Sequence, residues 1–333
     1  MNTYGEKLKF TVFGESHGFG VGMVLDGLPQ GLEIDMDEVA AEMARRAPGT
    51  SELATARREA DQPMFVSGLL GNVTTGAPVA AIIRNSDQHS DSYDPRIPRP
   101  SHADLAAWVR FRGKNDARGG GHFSGRLTAA WVAAGALCRQ ELRRRGVEVS
   151  ARIVRIGTSE GEELTMSMKK EILDARASGD SVGGAVECVC TGVPAGIGGL
   201  DFGGLESRLA MIFYAIPGVK GLEFGAGFRL AEMRGSAAND PIRISDGRIY
   251  TETNNSGGIN GGLSNGMPIV ARLAFRPTPS IGREQKSINL ETMENVDFRV
   301  RGRHDPCIVP RAVPVVEAAM CIGILDAILE TEG

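Results

Sequence analysis

Residues 13–29 read FGESHGFGVGMVLDGLP, and how this stretch folds decides the fold class. Its letters G-E-S-H-G fit the G-x-S-x-G pattern of a nucleophile elbow, in which a strand ends at an exposed serine and a helix follows at once. Here Ser16 is followed by His17 and then by Gly18, Gly20 and Gly22. Each glycine costs a helix close to ~1 kcal/mol relative to alanine, so no helix starts there. Met23-Val-Leu-Asp26 reads as extended, and Gly27-Leu-Pro29 as a turn. The stretch is therefore strand, glycine turn and strand, which argues against a hydrolase with Ser16 as nucleophile. What remains is a Ser-His pair on a turn. Imidazole exchanges a proton near neutral pH, and a neighbouring hydroxyl can orient it. A turn histidine bonded only to backbone is the competing reading.

Outward from this stretch, Lys9–Val12 is the entering strand. Asp35, with Glu38 three positions on, caps a helix carried by Val39, Ala40, Met43 and Ala47 and stopped by Pro48-Gly49. Residues 50–63 are polar and Arg-rich and read as a loop, and Val79–Ile83 as a buried strand. Residues 85–101 hold three prolines and little to bury, so they form a long loop of the kind that is often functional. His102 opens a helical pattern, HADLAAWVRF. Arg126 to Arg145 is the clearest helix, apolar on one side and closed by basic residues. The second half alternates in the same way, with a helix over 167–177, a strand in AVECVCTG, a helix near 204–214, strands and glycine turns through 275, and a last helix at about 314–330. The pattern predicts an α+β layered fold. A duplicated core would suit it, although no sequence repeat is strong enough to establish one. No linker divides the chain, so residues 1–333 are expected to form a single domain.

With 37 Lys+Arg against 41 Asp+Glu, the formal charge is −4. That argues against nucleic-acid binding through a general basic excess, but not against a local basic pocket. MNTYGEKLKF lacks the apolar region of a signal peptide, and no run is expected to approach the ~18 apolar residues of a membrane span. Five cysteines, an odd number, read as reduced thiols of a cytosolic protein. Cys188 and Cys190 share one face of a strand with no further ligands nearby, so no metal site is expected.

Polar clusters recur where glycine and proline interrupt the helices. Arg118-Gly-Gly-Gly-His-Phe-Ser-Gly-Arg126 ends at a helix start. Its glycines let backbone amides approach a ligand, and Ser124 and Arg126 add a hydroxyl and a guanidinium fork suited to an anion. It lacks the GKS/T ending of a Walker loop, and a plain glycine turn is the alternative. Arg45 and Arg46 close a helix, where the macrodipole alone accounts for Arg45; Arg57 and Arg58 sit in a loop. Arg96, Arg99 and His102 are bracketed by prolines. Asp305 follows Arg303 and His304, as a base whose pKa Arg303 lowers or as one half of a surface salt bridge. Residues 257–262 and Arg276-Pro-Thr-Pro-Ser280 are suited to gripping an extended ligand. Three of the five histidines, His17, His102 and His122, lie beside serine, glycine or arginine, and His89 reads as solvated. Together these features point to proton transfer on a multiply anionic small molecule.

In this order the clusters resemble those of the chorismate synthase family. FGESHGFGVGMVLDGLP, GHFSGRLTAAWVAAGAL and RHDPCIVPRAVPVVEAA are similar to its three signatures. RRAPGTS, RREADQP, TTGAPVA, RPSHAD, TGVPAG, PGVKGLEFG and GGINGGLSNGMPI fall between them, from about residue 5 to 330. The resemblance implies a β-α-β sandwich, with long helices packed between antiparallel sheets, assembled as a homotetramer in the cytoplasm. It implies anti-1,4-elimination of phosphate from 5-enolpyruvylshikimate 3-phosphate, giving chorismate with reduced FMN as cofactor and no net redox change. NADPH enters only indirectly, to reduce the flavin. With no strand–GxGxxG–helix unit, a separate flavin reductase is the expected partner.

Carried over by position, the resemblance makes His17 the acid for departing phosphate, with Ser16 beside it. His102 resembles the histidine that protonates the reduced flavin, and Asp305 the aspartate paired with flavin N5, with Ser124 as relay. Arg46, Arg57, Arg99, Gly125 and Arg126 resemble substrate-binding residues. FMN contacts are implied for His122, Phe123, Ser124, Gly218, Gly261, Arg276, Pro277, Thr278, Pro279, Ser280 and Arg303. Two positions depart from the family pattern. His122-Phe-Ser-Gly-Arg126 stands where many members have RSSAR, replacing a flavin-side cation by imidazole, and Glu52 stands where many bacterial members have Arg. The alternatives are a serine hydrolase, labelled at Ser16 by a phosphonate, and a non-catalytic phosphate-ester-binding protein.

Overall fold

Lys9–Gly14 pairs antiparallel with Gly20–Asp26, so the glycine stretch folds as strand, turn and strand, and no helix follows Ser16. The structure is a computed structural model that describes residues 2–49, 61–86, 94–300 and 305–332. Among these residues the α-helices are α1 Met36–Arg46, α2 Asp104–Phe111, α3 Thr128–Arg144, α4 Met166–Ala177, α5 Leu205–Ala215, the single turn α6 Gly235–Ala238, and α7 Val309–Glu332. Two five-stranded antiparallel sheets flank the long ones. The first runs Thr3–Tyr4, Lys9–Gly14, Gly20–Asp26, Val79–Arg84, Pro63–Ser67. The second runs Val219–Phe224, Ile269–Phe275, Gly184–Thr191, Glu148–Ile156, Ser159–Glu160. The fold is thus mixed α+β with antiparallel sheets, and one hydrophobic cluster draws on both sheets and on the helices between them.

Two helix expectations are corrected. α3 is not apolar on one side only: every residue from Thr128 to Leu142 is buried, because it contacts strands of both sheets as well as α1 and α7. The last helix begins at Val309 rather than near 314, with Pro314 inside it. Proline reads as a breaker in sequence; Pro310 stands in the first turn, where its missing N–H has no intrahelical partner to lose, and Pro314 in the second turn, where one helical bond is given up. α7 is also long and apolar enough to cross a membrane, contrary to the expectation that no run comes close. Its most apolar window is 89% buried inside the protein, as a central core helix would be. α3 and α7 meet closely at Gly135, where a Cβ would lie 2.3 Å from Cβ of Ala318. The Asp326 carboxylate on α7 accepts the backbone N–H groups of Glu6, Lys7 and Leu8, tying the last helix to the first strands.

Both halves repeat one construction. In Leu28-Pro29-Gln-Gly-Leu32 the Leu32 amide donates to Oγ1 of Thr74, which in turn donates to the Pro29 carbonyl. In Val193-Pro194-Ala-Gly-Ile197 the Ile197 amide donates to Oγ of Ser264, which donates to the Pro194 carbonyl. Each unit is followed by a helix, α1 or α5, and each hydroxyl lies in a two-stranded hairpin just ahead of a long sheet strand. The duplicated construction is therefore a structural fact that the two sequences express only as L-P-x-G-L and V-P-x-G-I.

Candidate functional site

A cavity of about 910 Å³ opens between the helical layer and the loops that carry the polar clusters. Its floor is apolar, with Trp131 on α3 set edge-on to Phe10, ring centroids 5.2 Å apart. Among the described residues, six that line it are Arg or Lys (Arg46, Arg99, Arg126, Lys220, Arg276 and Arg311), against one carboxylate, Asp305. His17, His102 and His122 line it as well.

The Ser-His turn is clamped on two sides. The Ser16 amide donates to the Gly121 carbonyl at 3.1 Å, and Asn85 Nδ2 donates to the carbonyls of Glu15 and Gly18. Ser16 and His17 are both buried while still reaching the cavity. The His17 ring lies against Gly119, where a Cβ would meet Nε2 at 2.5 Å. Gly119 also has φ +58°, so both the close approach and the left-handed backbone call for glycine there. His122 Nδ1 lies 2.9 Å from the Gly14 carbonyl, which can only accept, so Nδ1 carries the proton. Beneath the turn, burial and a hydrogen bond with Asp116 raise the Glu15 pKa. Hydrogen bonds from Arg118 hold Asp116 down at about 2.

The arginines are held rather than loosely presented. Arg46 and Arg126 both pair with Asp61, whose side chain is fully buried. Burial alone would raise the Asp61 carboxyl, but the two guanidiniums hold it below its ordinary value. Arg46 also donates to Thr128 Oγ1 and to the Gly125 carbonyl, and Arg126 to Asn85 Oδ1 and the Arg84 carbonyl. Arg99 donates to Ser280 Oγ and doubly to Asp104, which also bonds His102 Nδ1 at 2.6 Å. On the far wall, the Arg276 amide donates to the Gly218 carbonyl and Thr278 Oγ1 to the Asp305 carbonyl, joining three clusters that are distant in sequence. Asp305 pairs with Arg311 at 2.7 Å, and Arg311 Nε donates to the Arg46 carbonyl.

Of the residues singled out from sequence, the cavity collects Ser16, His17, Arg46, Arg99, His102, His122, Phe123, Ser124, Gly125, Arg126, Gly218, Arg276, Pro277, Thr278, Pro279, Ser280 and Asp305. Gly261 does not line it: that glycine lies in the turn between Ile259–Asn260 and Leu263–Ser264. Arg57, Glu52, His89 and Arg303 lie outside the described residues. Among the described residues, the cation that pairs with Asp305 is Arg311, which the sequence does not single out. Arg45 is half-exposed and bonds Glu42 and Glu317, and Arg96 bonds Asp94 on the surface, so neither belongs to the site. Cys188 and Cys190 are fully buried, and burial pushes both thiols up.

Sequence reasoning misses Asp61, Asn85, Asp104 and Arg311. Asp61 and Asn85 stand in polar loops with no flanking pattern. Asp104 reads as a helix-start acid, and Arg311 as one more basic residue of a helix entrance.

The cavity's composition fits a flat, partly apolar group bound beside a compact anionic one. Glycine at 125 leaves open space where a Cβ would stand, and the wall that includes Gly218 and Arg276 to Ser280 mixes apolar and polar groups. A cavity of this volume with a few convergent polar groups is typical of cofactor and substrate sites.

Comparison with known proteins gives a consistent answer. A sequence profile described as chorismate synthase matches residues 8–329. A chorismate synthase of Thermococcus gammatolerans is 50% identical over 98% of this chain and 97% of its own length. One from Pyrococcus abyssi is 46% identical with the same coverage. A crystal structure of a chorismate synthase superposes with a TM-score of 0.77 at 29% identity, covering 99% of this chain and 93% of that one.

Proposed function

The chain belongs to the chorismate synthase family and is a carbon–oxygen lyase of aromatic biosynthesis; on that premise we propose how its cavity works. The reaction is the anti-1,4-elimination of phosphate from 5-enolpyruvylshikimate 3-phosphate, and reduced FMN is the cofactor. The observation that carries this reading is the excess of six cations over one carboxylate among the described residues around a cavity that also holds three histidines. A substrate with one phosphate and two carboxylates requires such a setting, where low local dielectric makes each guanidinium count for more than in water.

Arg46, Arg99, Gly125 and Arg126 hold the substrate's anions, and the same role is assigned to Arg57. Bonds to Asp61, Asp104, Asn85 and backbone carbonyls keep these guanidiniums pre-aimed, so little ordering is left for the moment of binding. His17 gives a proton to the departing phosphate, and Ser16, whose backbone N–H donates a hydrogen bond to the Gly121 carbonyl, steadies the turn that carries it. His102 exchanges a proton at its cavity-facing nitrogen. Asp305, held by Arg311, takes the hydrogen that leaves as a proton, with Ser124 as relay.

FMN is assigned to the wall lined by His122, Phe123, Ser124, Gly218, Arg276, Pro277, Thr278, Pro279 and Ser280, and Arg303 is proposed as a further contact. When bound, the reduced flavin supplies electron density to the breaking C–O bond and recovers it, so there is no net redox change. NADPH acts upstream through a separate reductase, and the enzyme works in the cytoplasm as a homotetramer. The readings of Ser16 as a hydrolytic nucleophile and of a non-catalytic binder find no support among the relatives.

The deciding experiment is anaerobic. Protein, reduced FMN and 5-enolpyruvylshikimate 3-phosphate are mixed, and phosphate and chorismate are assayed. The expected outcome is equal release of both, dependent on reduced flavin. Folded protein that releases no phosphate would sink the reading.

A further inference from the structure

Two cavity groups, Arg99 and His102, hang on one carboxylate that does not itself line the cavity. Asp104 is the first residue of α2, and its two oxygens receive four donors. Oδ2 accepts from the Arg99 amide at 3.0 Å and from Arg99 Nε at 2.7 Å. Oδ1 accepts from Arg99 Nη2 at 2.8 Å and meets His102 Nδ1 at 2.6 Å.

His102 Nδ1 also lies 3.0 Å from Arg99 Nη2, so a donor and an acceptor compete for the same ring nitrogen. A guanidinium can only donate and would need a bare Nδ1; an ionised carboxylate can only accept and needs Nδ1–H. Burial alone would raise the Asp104 pKa, but hydrogen bonds from Arg99 and His102 hold it well below the carboxylate range, so it is ionised. The shorter contact is to the carboxylate, and Arg99 Nη2 has Oδ1 as its own partner. Nδ1 therefore carries the proton, and Nε2 is left bare toward the cavity. There it packs against the glycine turn, 3.2 Å from where a Cβ of Gly120 would stand.

We propose that Asp104 is a positioning residue of the reaction: it fixes His102 as the Nδ1–H tautomer, making Nε2 the nitrogen that exchanges protons in the cavity, while aiming Arg99. The role in turnover rests on the function proposed above, whereas the tautomer does not. Such outer carboxylates act on an imidazole by setting which nitrogen is available.

The test is side-chain 15N NMR of histidine-labelled full-length protein, at a pH where the imidazole is neutral, with His102→Gln identifying the resonances. The wild type should show a protonated Nδ1 and a bare Nε2. In Asp104→Asn, the amide oxygen must serve the Arg99 amide and Nε, which turns the amide nitrogen toward Nδ1. The proton should then move to Nε2, and turnover should fall on the order of 10²-fold or more.

A wild-type His102 protonated at Nε2 overturns the proposal. So does a folded Asp104→Asn variant that keeps the wild-type tautomer, or one that swaps it without losing turnover. Should the variant not fold, the wild-type spectrum alone decides. A wild type that releases no phosphate yet shows the Nδ1–H tautomer would refute the proposed reaction, and with it the role in turnover, while leaving the hydrogen-bond assignment standing.

Discussion

At the scale of single residues, the site is a set of charged groups each held by a partner that sequence does not reveal. His17 is buried on its turn and packed under Gly119, so its ring reaches the cavity in one orientation. Replacing it by alanine removes a proton donor but no lining wall of the proposed flavin site. We expect His17→Ala to lower turnover on the order of 10² to 10⁴-fold while reduced-FMN affinity, read by anaerobic fluorescence titration, changes little. Equal losses in both would count against its role as acid. Ser16, His17, His102, Ser124 and Arg126 are legible in the sequence because glycine and proline around them mark loops that can present a side chain to a ligand. Asp61, Asp104 and Arg311 are not, because each is defined by a bond to an opposite charge rather than by its neighbours in the chain.

At the scale of elements, capping and turn chemistry are readable in the sequence, and burial is not. Asp35 accepts from the amides of Asp37 and Glu38, as a local cap should. α3 reads as amphipathic, yet its Thr128–Leu142 run is buried on all sides because it is the helix the molecule closes around. Its alanines and Gly135 suit that position, since small residues let α7 approach closely. Gly135→Val places two methyl groups and a Cβ where 2.3 Å already separates a bare Cβ from Ala318. Overpacking of this kind typically costs about 1–3 kcal/mol, more than helix propensity returns. Urea denaturation should report that loss, and an unchanged midpoint would show that the crossing has slack. α7 shows the complementary effect: it starts at Val309 rather than about 314 and takes Pro310 and Pro314 into its first two turns.

At the scale of the whole molecule, the first sheet and a separate two-stranded hairpin carry apolar side chains away from the shared core. Phe13, Met64 and Val66 are exposed on the strands of the first sheet, and Ile242, Ile244 and Ile249 on the hairpin Ile242–Ser245/Arg248–Thr251. Exposed apolar surface of this kind calls for a partner, and the proposed homotetramer would supply three. Sedimentation equilibrium should give a mass of four 35.4 kDa chains, and the double variant Ile244→Asp/Ile249→Asp should give a smaller species. A monomeric wild type at micromolar concentration would refute the assembly. The sequence by itself determined the glycine turn after Ser16, the helix caps, the α+β class and most of the clusters that carry charge, because these depend on backbone freedom and on neighbours within a few residues. Only the tertiary structure decided which carboxylate holds which arginine, that Gly261 stands apart from the cavity, that the two halves share one construction, and that Asp104 meets His102 Nδ1. Those facts rest on contacts that close only when distant segments pack together, such as Asp61 with Arg126 or Thr278 with Asp305, and no local pattern encodes them.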